Sequence, residues 1–150
     1  MNDAANSSDP PKLATGKLTR SLGFLTRVVH IQINDLIRAK GELTASPATL
    51  TMLSLVHENP GIRQAHAARF LLIHDSNMAI LVKDLVSQGL VERRGSTGKR
   101  SGLWVTKMGA DVLAQAAPVE TLVRDFAASL SNEEYRQLIA LLGRLYRDWV

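Results

Sequence analysis

The chain has 150 residues, of which 45% are hydrophobic and 5% aromatic. This composition suits one domain, or one domain with an oligomerisation arm, and favours helices rich in Ala, Leu and Val over a β-sandwich. Cysteine is absent, which excludes disulfides, thiolate metal sites and cysteine-based redox switches. No apolar run is long enough to span a membrane, and the polar N-terminus lacks the features of a signal peptide. We therefore expect a cytoplasmic protein with no membrane partner.

The net charge of +4 is concentrated in the middle of the chain. Residues 60–107 carry eight Lys and Arg against three Asp and Glu, whereas residues 108–150 carry four against six. A basic segment of this kind is expected where a protein contacts nucleic acid. Charge alone does not separate that interpretation from a solvated basic face.

The N-terminal part of the sequence predicts a disordered tail followed by one long helix. Residues 1–16 are rich in Asn, Ser, Asp and Pro and show no periodicity, as is typical of disorder. Apolar residues then recur at helical spacing and predict a helix from about Thr19 to Lys40. Because this helix is apolar on more than one side, we expect it to pack between its own domain and a partner subunit.

The middle of the sequence predicts a helix, a helix pair and a β-hairpin. Ser46 and Pro47 form a typical helix start, and Pro60 and Gly61 end that helix near Asn59. The elements that follow are a short helix at about Arg63–Leu71, a longer helix at about Asp75–Gln88, and strands at Leu90–Arg94 and Gly102–Val105 joined by loop 95–101. The residues of the longer helix that we expect in the core are Met78, Leu81, Val82 and Leu85.

The C-terminal part predicts helices with clear caps. Thr106 should cap a helix that begins at Lys107, and Pro118 should kink or interrupt that helix. Ser131 and Glu134 have the spacing of a capping box for a last helix, which runs to about Asp148. The apolar face of this last helix consists of Leu138, Leu141, Leu142 and Leu145. Long amphipathic helices at both ends of a chain are typical of a dimer whose termini interdigitate.

A helix pair followed by a cation-rich hairpin is typical of proteins that insert a helix into a DNA groove and grip the phosphates beside it. We therefore interpret the chain as a transcription factor and not an enzyme, since no nucleophile elbow, phosphate-binding loop or dinucleotide fingerprint is present. The four histidines lack metal-ligand spacing, so neither a metal nor a cofactor is expected.

The residues that carry a family resemblance are LVKDLVSQGLVERR at 81–94, the basic GKR at 98–100, and the stretch from Val105 to Gly109. Over residues 20–148 the chain resembles the multiple-antibiotic-resistance regulator (MarR) family. The resemblance implies a mainly α, winged helix-turn-helix fold with about six helices and a two-stranded β-wing. It also implies that the N- and C-terminal helices form an intertwined dimer interface. We accordingly expect a single domain over residues 17–150, with dimerisation helices at 17–45 and 118–150 and the winged helix-turn-helix at 46–117.

The chain departs from the family pattern at three places. Arg63 stands where the family usually has a capping Ser or Thr, and Leu72 stands where the turn between the paired helices usually has Gly. A Leu in the left-handed region costs about 1 kcal/mol or more, which favours a different shape for this turn. The wing loop 95–100 contains no acidic residue, so we expect a wing tip that is more positive and more flexible than usual.

The expected DNA contacts fall into two groups. A recognition helix reads base edges with its first turn and a half. The residues there are His74, Asp75, Ser76, Asn77 and Ile80, and Lys83 lies one turn further on. The alternative is that Ser76 and Asn77 only cap the helix, a role that we assign to Asp75. The expected phosphate and wing contacts are Arg63, Gln64, Arg93, Arg94, Lys99 and Arg100. By resemblance, Arg100 or Lys99 would enter the minor groove, while Arg69 is expected to face away from the DNA and form a structural salt bridge.

Family members usually release DNA when a small molecule binds between the dimerisation helices and the winged domain. The polar candidates on the first helix are Arg27, His30 and Asn34, whose spacing places them on one face. An Arg beside a His would suit an aromatic carboxylate, a phenolic compound or a coenzyme A thioester. The alternative for His30 is a hydrogen bond to a partner backbone across the dimer interface.

Two other functions remain open at this point. The chain could be a constitutive or architectural DNA-binding protein without an effector, which an effector titration would reveal. It could also be a protein–protein module that keeps the winged fold without its readout, although its cluster of cations argues against this. The preferred interpretation is a bacterial, cytoplasmic repressor, nucleoid-associated when bound to DNA, that binds a pseudo-palindromic double-stranded operator as a homodimer and regulates aromatic-compound catabolism.

Overall fold

The computed structural model describes residues 14–39, 45–95, 101–116 and 118–147. The chain divides into two compact units, Met1–Gln32 and Ile33–Val150. Its helices are a short 3₁₀ turn at Leu18–Arg20, α1 at Leu22–Ala39, α2 at Pro47–Glu58, α3 at Gln64–Phe70, α4 at Asp75–Ser87, α5 at Lys107–Gln115, α6 at Pro118–Phe126 and α7 at Asn132–Arg147. Strands β1, Val91–Arg94, and β2, Gly102–Val105, form one antiparallel sheet.

These elements confirm the expected fold, which is mainly helical with a two-stranded antiparallel wing. Seven α-helices are seen in the described ranges instead of about six, because Pro118 begins a new helix where one interrupted helix was expected. Most of the predicted tail lies outside the described residues, and the boundaries predicted for the domain stay predictions. None of the described helices is both long and apolar enough to cross a membrane.

The first unit contains the 3₁₀ turn and the beginning of α1. Four apolar side chains in this part of α1 are exposed: Leu22, Leu25, Val29 and Ile31. The Thr26 hydroxyl donates a hydrogen bond to the carbonyl oxygen of Leu22 at 2.8 Å, one helical turn earlier. Among residues 14–32, the described part of this unit, nothing covers these apolar side chains, as is expected of a helix that requires a further packing partner.

The core of the second unit lies between α2, α3, α4 and the wing. Side chains with no exposed surface include Met52, Leu53, Val56, Met78, Val82 and Leu103. They remove apolar surface from water, which is the main driving force for folding. The core positions predicted on α4 are confirmed, with Met78, Val82 and Leu85 buried and Leu81 packed partly buried against them.

The N-caps predicted from the sequence set where α2 and α5 begin. The Ser46 hydroxyl accepts a hydrogen bond from the backbone N–H of Thr49 at 3.2 Å, with Pro47 as the first helical residue. The Thr106 hydroxyl accepts one from the N–H of Gly109 at 3.1 Å and donates to the carbonyl oxygen of Gly89 at 2.6 Å. Thr106 therefore fixes α5 to the segment that joins α4 to the wing.

One predicted cap is wrong. His74, not Asp75, is the N-cap residue of α4, and its side chain makes no capping hydrogen bond. Asp75 is instead the first helical residue, where its negative charge still suits the positive end of the helix dipole. The short connection from α3 fixes where α4 begins, and this overrides the capping preference of the individual residue.

Candidate nucleic-acid interface

An open cleft with a volume of about 880 Å³ lies between α3 and β1. The charged and polar side chains that line it are Arg63, Gln64, His66, Arg69, Asp75, Arg93 and Ser101. The lining of this open cleft thus includes three arginines and one aspartate. A concavity with this charge raises the local concentration of anions and suits a phosphate backbone.

The two sides of this cleft are joined by a hydrogen bond between α3 and β1. Nη2 of Arg93 donates to Oε1 of Gln64 at 2.6 Å. The predicted phosphate contacts Arg63, Gln64 and Arg93 are therefore brought together, although Arg93 lies far from the other two in sequence. Because Gln64 orients Arg93, less side-chain entropy is lost when the guanidinium binds an anion.

Arg69 lies on the same surface as the predicted phosphate contacts, whereas the sequence placed it away from them. It lines the same cleft as Arg63 and Arg93, and within the described part of the chain it forms no ion pair. His66 was not predicted and lies there too. The signal was available, because residues 63, 66 and 69 are spaced by three, and residues three apart are neighbours on a helix surface.

Helix α4 presents the predicted base-reading side chains to solvent. His74, Ser76, Asn77 and Lys83 are all exposed, while Met78 on the same helix is fully buried. In the part of the chain that the structure describes, the side chains of Ser76 and Asn77 make no capping bond. Their donors and acceptors are therefore available for base edges.

The turn between α3 and α4 keeps the left-handed conformation, so the expectation of a different shape is wrong. Leu72 has φ = 53° and is 64% exposed. The N–H of Leu72 bonds to the carbonyl of Arg69 at 3.2 Å, and the N–H of Ile73 bonds to that of Ala68 at 2.9 Å. This is the paired bonding of a Schellman motif, and Ile73 packs against the core as that motif favours. These interactions offset the cost of placing a Leu where Gly is preferred.

The wing pairs β1 and β2 in a fixed register, with Val91 opposite Val105 and Arg94 opposite Gly102. The Trp104 ring lies so close to the backbone of Gly61 and Gly102 that an added Cβ would come within 2.9 Å and 2.6 Å of it. Side chains larger than hydrogen at these two glycines would therefore displace the indole.

Arg94 is held on the outer side of the wing by two contacts. Its guanidinium forms an ion pair with Glu92 and lies 5.5 Å from the centre of the Trp104 ring. An exposed ion pair of this kind contributes little to stability, so Glu92 holds Arg94 only weakly. Lys99 and Arg100, the predicted wing-tip contacts, lie outside the described residues.

A second cavity, of about 380 Å³, lies between α2 and the α5–α6 segment. Its lining consists of Leu50, Thr51, Ser54, Leu113, Ala116, Val119 and Glu120. The predicted effector residues Arg27, His30 and Asn34 lie on α1, and their role stays a prediction. The cavity combines apolar walls with few polar groups, as small-molecule sites generally do.

Comparison with known proteins identifies the family. A model of the MarR family matches residues 43–101. The chain is also 32% identical over 152 residues, covering 95% of this chain and 89% of the relative, to the "Putative transcriptional regulatory protein for hcr operon" of Thauera aromatica. The chain belongs to the MarR family. The resemblance predicted from the helix-turn-helix and wing is confirmed, and this MarR-family chain is a DNA-binding transcriptional regulator.

Solved structures agree with this assignment at the level of the fold. The repressor CouR bound to p-coumaroyl-CoA superposes with a TM-score of 0.78 at 23% identity, covering 91% of this chain and 99% of that chain. CouR bound to a 23-mer DNA duplex gives a TM-score of 0.76 at 25% identity, covering 90% and 99%. The winged MarR fold is thus shared over nearly the whole of each chain.

Proposed function

We propose that this MarR-family regulator is a dimeric repressor that binds a pseudo-palindromic operator and releases it when a small aromatic or acyl-thioester effector binds. The observation that carries the DNA-binding half is the cationic cleft between α3 and β1, which lies beside the exposed first turn of α4. One surface thereby offers phosphate contacts and base contacts together.

Within this proposal the residues divide by role. Arg63, Gln64, Arg69, Arg93 and Arg94 bind phosphates, and Gln64 acts mainly by orienting Arg93. His74, Ser76, Asn77 and Lys83 read base edges in the major groove, with Asn77 suited to a bidentate pair with adenine. Lys99 and Arg100 enter the minor groove beside it. The phosphate contacts give affinity and salt dependence, whereas the base contacts give selectivity.

The dimer is proposed from the uncovered apolar faces of the terminal helices. Large apolar side chains on α7 are 38–56% exposed: Leu138, Ile139, Leu141, Leu142 and Leu145. Those on α1 are similarly exposed. Two winged units held by such helices would present their recognition helices to half-sites about one helical turn apart.

The effector is proposed from the cavity between α2 and the α5–α6 segment and from the ligand named in the CouR structure, p-coumaroyl-CoA. Arg27, His30 and Asn34 on α1 are the proposed polar effector contacts. A cation beside a His suits an aromatic carboxylate, a phenolic compound or a coenzyme A thioester. A regulator of this kind would act in the bacterial cytoplasm on genes of aromatic-compound catabolism.

Fluorescence anisotropy tests the proposal. Labelled duplexes that tile the region upstream of the protein's own gene are titrated with protein at two salt concentrations, beside scrambled duplexes. We expect selective binding that weakens steeply with salt. Asn77→Ala should reduce the preference for the selected duplex, whereas Arg63→Gln should weaken binding to every duplex. Arg136→Gln, at an exposed position of α7, is the matched charge control and should leave the duplex preference and the overall affinity unchanged.

The same assay separates the proposal from a constitutive DNA-binding protein. Aromatic acids, phenols and their coenzyme A thioesters are added to the preformed complex. Release by one of these compounds supports the ligand-responsive repressor. Selective DNA binding that no compound changes would favour an architectural or constitutive role, and equal binding to scrambled DNA would contradict sequence-specific regulation by the tiled region.

A further inference from the structure

We propose that Tyr146 is a positioning residue for DNA recognition, because it ties the end of α7 to the end of α3 and so holds the turn that aims α4. This inference rests on the proposed use of the α3–α4 surface in DNA binding. It adds a residue outside the winged unit to the machinery that orients the recognition helix.

Two contacts join Tyr146 to Phe70, a residue 76 positions earlier in the chain. The Tyr146 hydroxyl donates a hydrogen bond to the backbone carbonyl oxygen of Phe70 at 2.5 Å. Their rings pack edge to face, with centroids 5.8 Å apart and planes at 79°. Edge-to-face packing is a preferred arrangement of aromatic pairs, so the ring and the hydroxyl act on the same residue.

The backbone carbonyl of Phe70 is one of those at the end of α3 that have no hydrogen-bond partner within the helix. The last carbonyls of a helix have no partner within it. Here the carbonyls of Ala67, Ala68 and Arg69 are satisfied by the N–H groups of Leu71, Ile73 and Leu72. Phe70 provides the next carbonyl, and the Tyr146 hydroxyl supplies its hydrogen bond. The Tyr146 contact therefore completes the C-terminal cap of α3.

The capped end of α3 leads directly into the turn that directs α4. Leu72, two residues after Phe70, has φ = 53°, and a non-glycine residue keeps such a conformation only where its surroundings over-determine it. His74 and the exposed base-reading turn follow at once. A change at Phe70 is therefore transmitted through few bonds to the side chains that would read the DNA. Since α7 is also the helix proposed for the dimer interface, the Tyr146 contact links that interface to the recognition helix α4.

The test compares Tyr146→Phe, which keeps the ring and removes the hydroxyl, with Tyr146→Ala, which removes both. The matched control is Tyr135→Phe at the other end of α7, where the Arg124 guanidinium lies 4.6 Å from the centre of the ring. Hydrogen exchange of the Leu72 and Ile73 amides reports the turn. Anisotropy with the tightest-binding upstream duplex reports recognition, and sedimentation reports the oligomeric state.

We expect Tyr146→Phe to weaken duplex binding about fivefold, the equivalent of one ordinary hydrogen bond, and Tyr146→Ala to weaken it at least about tenfold. Both variants should accelerate exchange of the Leu72 and Ile73 amides. Tyr146→Phe should sediment as the wild type does, and Tyr135→Phe should match the wild type in all three measurements.

Three results would overturn the proposal: unchanged exchange of the two amides in Tyr146→Ala, faster exchange with wild-type duplex affinity, or a loss of affinity that dissociation of the dimer explains fully. Failure of the proposed function would look different, since the wild-type protein itself would then bind none of the upstream duplexes selectively. In that case exchange of the turn amides still decides whether Tyr146 holds the turn, and unchanged rates reject its role.

Discussion

The winged helix-turn-helix and the two C-terminal helices differ in how their apolar residues are covered. In the winged part, Met52, Leu53, Val56 and Leu103 have no exposed surface. In α6 and α7, no residue whose side chain the structure describes is buried, and Leu141 is 56% exposed. One region therefore carries its own core, while the other has apolar residues without a core.

The difference teaches that the two regions obtain their stability from different sources. The winged region is stabilised by burial within one chain. The N-terminal end of α7 is held by local contacts: the Arg124 guanidinium donates to Oδ1 of Asn132 at 2.5 Å and lies over the Tyr135 ring. Isolated helices of this length are marginal in water. We infer that α7 gains most of its stability from a second subunit, so it should respond to protein concentration as the winged core does not.

The largest effect is expected in the winged core. Leu53→Ala removes a side chain with no exposed surface and should lower the free energy of unfolding by about 2–5 kcal/mol, measured by urea denaturation at several protein concentrations. Ile139→Ala, at a 53% exposed position of α7, is the control and should leave the unfolding of the winged core nearly unchanged. Equal losses in the two variants would contradict the proposed division.

A charge on the apolar face of α7 should weaken the dimer without unfolding the winged core. Leu141→Asp places an unpaired carboxylate in the proposed seam and should weaken the dimer by about 3 kcal/mol or more, measured by sedimentation over a range of concentrations. The winged region should unfold as before. Ala140→Asp adds the same charge to the opposite side of α7 and should leave the dimer intact, so dissociation of both variants would indicate a general effect of charge.

A smaller effect in the opposite direction is expected at the turn between α3 and α4. Leu72→Gly relieves the left-handed conformation at a 64% exposed residue and should stabilise the protein by about 0.5–1 kcal/mol, the unfolded-state entropy of Gly offsetting part of the gain. Leu71→Gly, at φ = −87°, should instead destabilise it. Thermal unfolding checks both, and a destabilised Leu72→Gly would show that the Leu side chain itself holds the turn.

The smallest effect concerns pH and the first turn of α7. Hydrogen bonds from the side chain and backbone of Ser131 lower the pKa of Glu134 below its ordinary value. A lowered pKa means that the ionised carboxylate is favoured in the folded state. These hydrogen bonds therefore contribute to folding stability at pH values above the ordinary pKa of Glu, and this stability is lost as pH falls through the lowered pKa. Thermal midpoints at about pH 6 and about pH 3 should differ slightly less in Glu134→Gln than in the wild type. If the two midpoints differ equally in Glu134→Gln and in the wild type, this cap contributes no measurable pH dependence.

The sequence predicted most accurately those features that local chemistry determines. Ser46, Thr106 and the Ser131–Glu134 box begin their helices as expected, because each cap involves residues within one helical turn. The helix break at Pro118 follows from the missing N–H in the same way.

Features that depend on contacts between distant segments were not predictable. The Gln64–Arg93 bond joins residues that pair only once β1 packs beside α3. Leu72 was expected to avoid the left-handed region on local preference, but the cap bonds and the packing of Ile73 outweigh that preference. Tyr146 gave no sequence signal for its bond to Phe70, since nothing local relates positions 76 apart.

The packing of Trp104 against two glycines gives the wing an intrinsic optical probe. The sequence contains two tryptophans, so Trp149→Phe would leave the wing indole as the sole tryptophan fluorophore. Since the guanidinium of Arg94 lies against this ring, its transfer to a phosphate would change the surroundings of the indole. Emission from unlabelled protein would then follow engagement of the wing in real time, separately from the recognition helix.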